Sequence, residues 1–291
     1  MILVSDILLI SLAFIALVIG SITDIKKREI ADWISFSLFA VALAIRGIVS
    51  LISKDPTYFL YGLLVFGILF VILVPAYYGK LFGGGDVKIL LAIGACLATT
   101  PVFLTKLSVF SFSTPFIVSL IINGLIIGSL QGIIWGFVTL CKKPDKWCFS
   151  FKTTFKKNRK IIYSSGILAL LFLIAIIVFK EPILLITFVM LILLPVLFAF
   201  AKASEDTGFI KLKSPNQLTE GDSLTKEVKI GSKTLKQTAD GLTKKDILLL
   251  KKFNKKVLIT DGLPYIPALL LALILTFLFD NILLRIISML I

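Results

Sequence analysis

The stretch "LFGGGDVKILLAIGA", Leu81–Ala95, places three consecutive glycines and an aspartate in front of a long apolar run. Asp86 is well placed to cap a helix, which is sufficient to explain an isolated aspartate there. A cap alone does not require three glycines, because each glycine loses more backbone entropy on folding than other residues. The stretch therefore raises the question of why a carboxylate stands on so permissive a backbone.

The composition predicts a polytopic membrane protein. The chain has 291 residues, 58% of them hydrophobic, and a mean hydropathy of +1.02, far above that of a soluble domain. Apolar windows of about 20 residues are long enough to cross the hydrocarbon core. Eight windows are predicted to do so: Ile2–Thr23, Trp33–Ile52, Tyr58–Tyr78, Val87–Leu104, Thr114–Leu140, Ile161–Phe179, Ile183–Ala201 and Pro264–Phe279. The last apolar stretch, Asn281–Ile291, is too short to cross again and is predicted to lie at an interface.

The distribution of positive charge predicts the orientation of these spans. The 31 Lys and Arg residues outnumber the 17 Asp and Glu residues, and most of them lie in alternate loops. By the positive-inside rule, the N-terminus is outside and spans 1, 3, 5 and 7 end at the cytoplasmic face. The net charge of +14 is thus mainly a topology signal, with attraction to membrane lipids as a secondary consequence. Nucleic-acid binding is not predicted, because no nucleic-acid-binding fold signature accompanies the charge.

The cysteine and histidine content narrows the possible chemistry. The three cysteines, Cys96, Cys141 and Cys148, form no C-x-x-C pair, and the chain contains no histidine. The usual ligands of a zinc or haem site are therefore missing, and no metal or cofactor is predicted. A nucleophile activated by histidine is excluded as well. Carboxylates are the natural catalytic candidates that are left.

A polar segment, residues 202–263, is predicted to form a small cytoplasmic α+β module. "FIKLK" and "KEVKIGSKTLKQ" alternate apolar with polar residues, with Gly231-Ser232 at a hairpin turn, and "DGLTKKDILLLKKFNKK" is typical of a helix. The predicted domains are a membrane helical domain at 1–201, the module at 202–263, and a final transmembrane helix with an interfacial tail at 264–291. Whether the module binds substrate or braces the helices is open.

Two acids are predicted to lie at one membrane face. Asp24 ends span 1 in "GSITDIKKREIADWIS", and Asp86 begins span 4. Acidic groups at the membrane margin favour a functional role. Asp24 alone is also explained as a boundary residue neutralised by Lys27 or Arg28.

The two stretches together resemble a known family. "DIKKREIADWIS", Asp24–Ser35, resembles the first aspartate motif of type IV prepilin peptidases, and "GGGDVK", Gly83–Lys88, resembles their glycine-any-glycine-aspartate motif. The resemblance is strongest to the archaeal preflagellin peptidases. "TPFIVSLIINGLIIG" and "GLPYIPALLLAL" are also similar to later helices of that family. Asp32 departs from the asparagine of many bacterial members, and the missing paired cysteines argue against the methyltransferase activity that those members commonly carry.

The resemblance implies an aspartyl protease in which Asp24 and Asp86 are catalytic and share a proton. It implies substrates with a short basic leader followed by a hydrophobic helix, cut at the cytoplasmic face. Gly83 and Gly85 are predicted to give the backbone a positive φ or a close approach to the substrate, whereas Gly84 fills the variable place and tolerates alanine.

The roles of the other charged residues near this site are open. Lys88 either extends toward headgroups or tunes Asp86. Asp32 and Glu29 either meet the basic leader or pair with the basic residues Lys26–Arg28.

Two other classes of protein are alternatives. A presenilin-like or signal-peptide-peptidase-like intramembrane protease shares the glycine-aspartate motif and a Pro267-Ala268-Leu269 sequence, but its first aspartate lies in the immediately preceding helix. A non-enzymatic transporter or assembly subunit would use both acids for structure or ion binding. No internal repeat supports a transporter. The natural substrate and the oligomeric state are open.

Overall fold

The computed structural model describes residues 2–102, 104, 114–179, 183–230, 233–238 and 241–290, and confirms a largely helical membrane fold with a small strand-containing module. The described helices are α1 (Ile2–Lys27), α2 (Asp32–Ser53), α3 (Thr57–Tyr78), α4 (Gly84–Cys96), α5 (Phe116–Lys142), α6 (Pro144–Lys157), α7 (Arg159–Phe179), α8 (Ile183–Ser204), α9 (Lys244–Lys252), α10 (Ile266–Phe279) and α11 (Ile282–Leu290). The described strands are β1 (Ile210–Lys213), β2 (Ser223–Leu224), β3 (Val228–Ile230), β4 (Lys233–Leu235) and β5 (Val257–Thr260).

Within the described residues, the number of helices able to cross a membrane is close to the predicted eight. Six are long and apolar enough, and α10 with α11 makes a seventh if this pair, bent by 48°, counts as one span. The predicted fourth span, Val87–Leu104, corresponds to α4, which has only 13 residues and ends at Cys96. A third or less of each apolar window is buried inside the protein, which leaves most of the apolar surface for lipid.

The chain divides into two compact units. The first comprises Met1–Gln131, Gln237–Thr243 and Gly262–Ile291, and the second comprises Gly132–Lys236 and Lys244–Asp261. The predicted domain boundaries at residues 201 and 263 stay predictions.

In the first unit, α4 lies in the core. Nine of its residues, from Val87 to Cys96, are buried, and it packs against α2 and α3. Gly94 allows a close approach, since a Cβ at this position would collide with the Leu69 side chain. Helices α1 and α4 run in opposite directions, because the Cys96 thiol near the end of α4 donates to the Leu9 carbonyl near the start of α1 at 3.1 Å.

A buried arginine bonds the end of α4. Arg46 is 1% exposed and donates to the Cys96 carbonyl at 3.1 Å, which satisfies an acceptor that the end of a helix leaves unpaired. It also donates to the Tyr58 carbonyl at 2.9 Å. The Tyr58 hydroxyl donates to Asp6 at 2.6 Å, and the other oxygen of Asp6 accepts the Val102 N–H at 2.9 Å. We call Asp6, Arg46 and Tyr58 the Arg46 cluster.

The second unit contains the strands and the helix α9 of the module. Strands β1, β5 and β2 form an antiparallel sheet in that order, and β3 pairs antiparallel with β4. The strands predicted in "FIKLK" and "KEVKIGSKTLKQ" and the helix α9 are therefore confirmed, whereas the Gly231-Ser232 turn lies outside the described residues.

Asp261, directly after β5, is held by two lysines of β1. Burial acts to raise the pKa of Asp261, but hydrogen bonds from Lys211 and Lys213 outweigh it and hold the pKa below its usual value. Lys211 lies 2.8 Å and Lys213 3.2 Å from the carboxylate. These ion pairs fix the end of β5 against β1.

Candidate active site

Asp24 lies in the last turn of α1 and is 7% exposed. Its Oδ2 accepts the N–H of Ile266, the first residue of α10, at 3.1 Å. The first N–H groups of a helix have no partner within the helix and attract negative charge. Asp24 therefore caps a helix that follows it by 242 residues in the chain.

Asp86 lies in the first turn of α4, and its Oδ2 accepts the N–H of Gly83 at 3.3 Å. This contact is the half of a capping box in which the third helical residue reaches back to the residue before the helix. The capping role predicted from sequence thus exists, but the partner is the N–H in front of α4. The carboxylate keeps further acceptor capacity that this one contact does not use.

The structure brings the two carboxylates to the same end of the antiparallel helices α1 and α4. They are close enough for the charge of Asp24 to repel that of Asp86. In the described parts of the chain, no lysine or arginine forms a salt bridge with either carboxylate. Arg28 acts on Asp24 only at longer range, so two like charges face each other without a directly bonded cation.

The segment before α10 forms a third wall of this site. Arg28 donates to the Gly262 carbonyl at 2.9 Å, and Gln131 of α5 donates to the Pro264 carbonyl at 2.9 Å. The Tyr265 ring packs 5.9 Å from the Phe82 ring, and its hydroxyl is near enough to feel the charge of Asp86. The sequence analysis identified "GLPYIP" only as the start of the final helix. Its two prolines around Tyr265 and Ile266 are the signal of a fixed turn.

The three glycines leave room for neighbouring side chains, and their dihedral angles are not unusual. Gly83 is extended, with φ −70° and ψ 154°, while Gly84 and Gly85 begin α4. None of the three has a positive φ, so of the two predicted roles only a close approach to the substrate stays a prediction. A Cβ on Gly85 would lie 3.1 Å from Ile30 Cβ, and one on Gly83 would lie 3.1 Å from Asp86 Oδ2, both tight contacts. A Cβ on Gly84 would lie 3.4 Å from the Tyr77 ring, an ordinary contact.

Lys88 and Asp32 pair with each other. Their Nζ and Oδ1 atoms are 2.6 Å apart, and the side chains are 41% and 59% exposed. Lys88 also lies 5.8 Å above the Phe36 ring. The ion pair links α4 to the first turn of α2, a contact that the sequence analysis did not predict.

No metal centre can be assembled from the described residues, since no group of three or more His, Cys, Asp or Glu side chains lies together there. The chemistry available at this site is that of two close carboxylates, the N–H groups at two helix starts, and the Tyr265 hydroxyl.

The fold and this site define a polytopic membrane protein with one buried and one partly buried acid at one end of its helices. Residues 11–137 match the type IV leader peptidase family, a range that includes both acids and all three glycines. A preflagellin peptidase of Methanocaldococcus jannaschii is 34% identical over 85 residues, which are 28% of this chain and 35% of that protein. The aligned region thus spans about a third of that curated relative. The match of residues 11–137 to the type IV leader peptidase family confirms the resemblance found in the motifs.

Proposed function

We propose that this protein is an aspartyl peptidase of the cell membrane that removes the short basic leader from preflagellin or type IV prepilin-like precursors. The observation that carries the proposal is the meeting of Asp24 and Asp86 at one end of α1 and α4, inside the region that matches the leader peptidase family. Two adjacent carboxylates that share one proton titrate as a pair. This is the starting state of an aspartyl protease.

The surroundings of the two acids support different roles for them. Asp24 accepts an N–H from the start of α10 at 3.1 Å, where the helix start attracts a negative charge. Asp86 accepts only the longer contact of 3.3 Å from the Gly83 N–H. Asp24 is therefore the base and Asp86 the acid in the proposed reaction.

The two carboxylates together accept and return every proton that the proposed reaction moves. Asp24 takes a proton from water, whose oxygen attacks the scissile carbonyl carbon while Asp86 donates its proton to the carbonyl oxygen. When the tetrahedral intermediate collapses, the proton on Asp24 passes to the leaving amine nitrogen and Asp86 recovers its proton from the hydroxyl. The products are a free leader carboxylate and a new N-terminus.

Exposed aromatic and apolar side chains near the acids suit a substrate with a hydrophobic helix. Trp33 at the start of α2 is 61% exposed, Tyr78 at the end of α3 is 68% exposed and Leu81 is 76% exposed. All three belong to segments that enter or leave the end of the bundle where Asp24 and Asp86 lie. A precursor helix docking there would place the bond that precedes it beside the two carboxylates.

The direct test incubates the purified full-length protein with a preflagellin and a prepilin precursor and maps any new N-terminus. We expect one cut between the basic leader and the hydrophobic helix. Asp24→Asn and Asp86→Asn should each reduce cleavage at least about 1,000-fold, because an amide cannot share a proton with a carboxylate. Asp32→Asn is the matched control and should retain cleavage. Near-normal turnover by either catalytic variant contradicts the proposed pair.

The proposed cytoplasmic location has a separate test. Cys141 and Cys148 are exposed and are first replaced by serine, whereas Cys96 is buried and stays. Single cysteines at Lys26 and Lys80 should then react with a reagent confined to the cytoplasmic side, and one at Lys54 should not. The opposite pattern would put the acids on the face away from the leader and contradict the proposal.

A further inference from the structure

A cavity of about 340 Å³ lies where α6 meets α7, far along the chain from both catalytic candidates. Three cations border it, Lys152, Lys156 and Arg159, together with the apolar side chains Phe151, Phe155, Ile162 and Tyr163. Lys152 and Lys156 are four residues apart on one face of α6, and Arg159 is the first residue of α7. Phe151 and Phe155 follow the same spacing one position earlier, so an aromatic stripe runs beside the cationic stripe.

The position of the cavity relates it to the membrane surface. Arg159 is the first residue of α7, a 21-residue helix that is long and apolar enough to span a membrane. Helix α6 is amphipathic, and its Trp147 is buried and donates to the Ser204 hydroxyl of α8 at 3.1 Å, which anchors that face. Aromatic rings and cations at the start of a membrane span are typical of the headgroup level.

The positive charge around the cavity favours an anionic ligand. Lys152, Lys156 and Arg159 are exposed, and within the described residues none of them forms a salt bridge with an acid. Three cations held together without an acidic partner favour an anion. Below the cavity, α7 presents exposed apolar side chains such as Ile167 (63% exposed) and Leu170 (60% exposed), which suit acyl chains.

We propose that this cavity binds the phosphate headgroup of one anionic membrane lipid, with the acyl chains lying along α7. The phosphate contacts Lys152, Lys156 and Arg159, and the glycerol backbone lies against Phe155 and Tyr163. The volume fits a headgroup and excludes a whole lipid, so the chains leave the cavity along the apolar surface of α7. This site is independent of the peptidase chemistry and does not use the two acids.

The experiment counts the lipids bound to the purified full-length protein by native mass spectrometry in neutral detergent. The probes are dioctanoyl phosphatidylglycerol, dioctanoyl phosphatidylcholine and inorganic phosphate. We expect one tightly held phosphatidylglycerol and weaker binding of the other two. The variant Lys152→Gln, Lys156→Gln, Arg159→Gln should bind phosphatidylglycerol about 100-fold more weakly, since each cation near an anionic headgroup contributes about a factor of five.

A second triple variant, Lys226→Gln, Lys245→Gln, Lys252→Gln, makes the same charge change on exposed residues of the module and should bind as the wild type does. Equal loss in both variants contradicts the site. Equal binding of phosphatidylcholine would show a merely apolar groove, and equal binding of inorganic phosphate would show a free-anion site, and each result overturns the proposal. If the cavity variant does not fold, raised salt applied to the wild type must weaken phosphatidylglycerol binding instead.

Discussion

A group of polar side chains lies at each end of the antiparallel pair α1 and α4, and the two groups differ in how their charges are satisfied. The Arg46 cluster joins a cation, an acid and a phenol, with contacts of 2.6–2.9 Å from Tyr58 to Asp6 and from Arg46 to the Tyr58 carbonyl. At the other end, Asp24 and Asp86 are two like charges whose named hydrogen bonds come from backbone N–H groups at 3.1 and 3.3 Å. Between Asp6 and Asp24 the helix rises about 27 Å.

The difference separates structural polar groups from functional ones. Opposite charges whose hydrogen bonds are all formed specify how helices pack. Removal of one partner strongly lowers the stability of the fold. Two close carboxylates repel each other and lower stability, a condition that persists where the chemistry of the pair is used. The four predictions below test this contrast through the free energy of unfolding, measured as thermal midpoints in detergent beside precursor cleavage.

The largest effect is expected at the Arg46 cluster. Arg46→Leu should destabilise the protein by about 3–5 kcal/mol, because Cys96 and Tyr58 lose the donor to their buried carbonyls and the end of α4 loses its cap. The fraction that folds should still cleave precursor, since Arg46 lies at the end away from the acids. Lys54→Leu, on the exposed turn after α2, is the control. An unchanged thermal midpoint for Arg46→Leu would contradict the structural role of the Arg46 cluster.

A smaller loss is expected at the glycines. Gly85→Val should cost about 1–3 kcal/mol and abolish cleavage, because its Cβ would press on Ile30. Gly83→Ala should impair cleavage with little loss of stability, because its Cβ would displace the Asp86 carboxylate. Gly84→Ala should leave both measurements near wild type. Equal cleavage by all three variants would mean that the glycines are only a flexible connection.

Replacement of aspartate by asparagine is expected to change stability in opposite directions at the two ends of α1 and α4. Asp6→Asn should lower stability by about 1–2 kcal/mol, because it weakens the bonds from Tyr58 and the Val102 N–H. Asp86→Asn should raise stability by about 1 kcal/mol while it abolishes cleavage, because a neutral amide has no charge to bury beside Asp24 and needs no proton to become neutral. Thermal midpoints of both variants at pH 7 decide the matter. A loss at both positions would show that Asp86 also stabilises the fold.

The smallest effect is expected at the surface ion pair. Lys88→Gln should change stability by less than about 1 kcal/mol, because its bond with Asp32 is half exposed and screened by salt. Cleavage should stay within about twofold of wild type. A large loss of cleavage at unchanged stability would place Lys88 in the proposed catalytic machinery.

Hydropathy, charge and motif spacing were sufficient to predict the helices, the two acids and the end of the bundle where they lie. They were not sufficient for features that depend on contacts between distant residues. The carbonyl at the end of α4 is bonded by Arg46, a residue 50 positions earlier in the chain. Likewise, the N–H of Ile266 reaches Asp24 from 242 residues away. Of the two roles predicted for Gly83 and Gly85, a positive φ is not found, and sequence gave no sign that Gly85 packs on Ile30.

The bond between Asp24 and the start of α10 has a consequence for biosynthesis. The first aspartate is made and inserted early, but its helix-start donor is synthesised 242 residues later, after the module. A nascent chain that still lacks α10 has both acids but neither the donor nor the Tyr265 wall. The proposed peptidase is therefore expected to be inactive while it is still on the ribosome. It becomes active only when its last helices enter the membrane. Neighbouring nascent chains would then not be cleaved while the peptidase itself is still being synthesised.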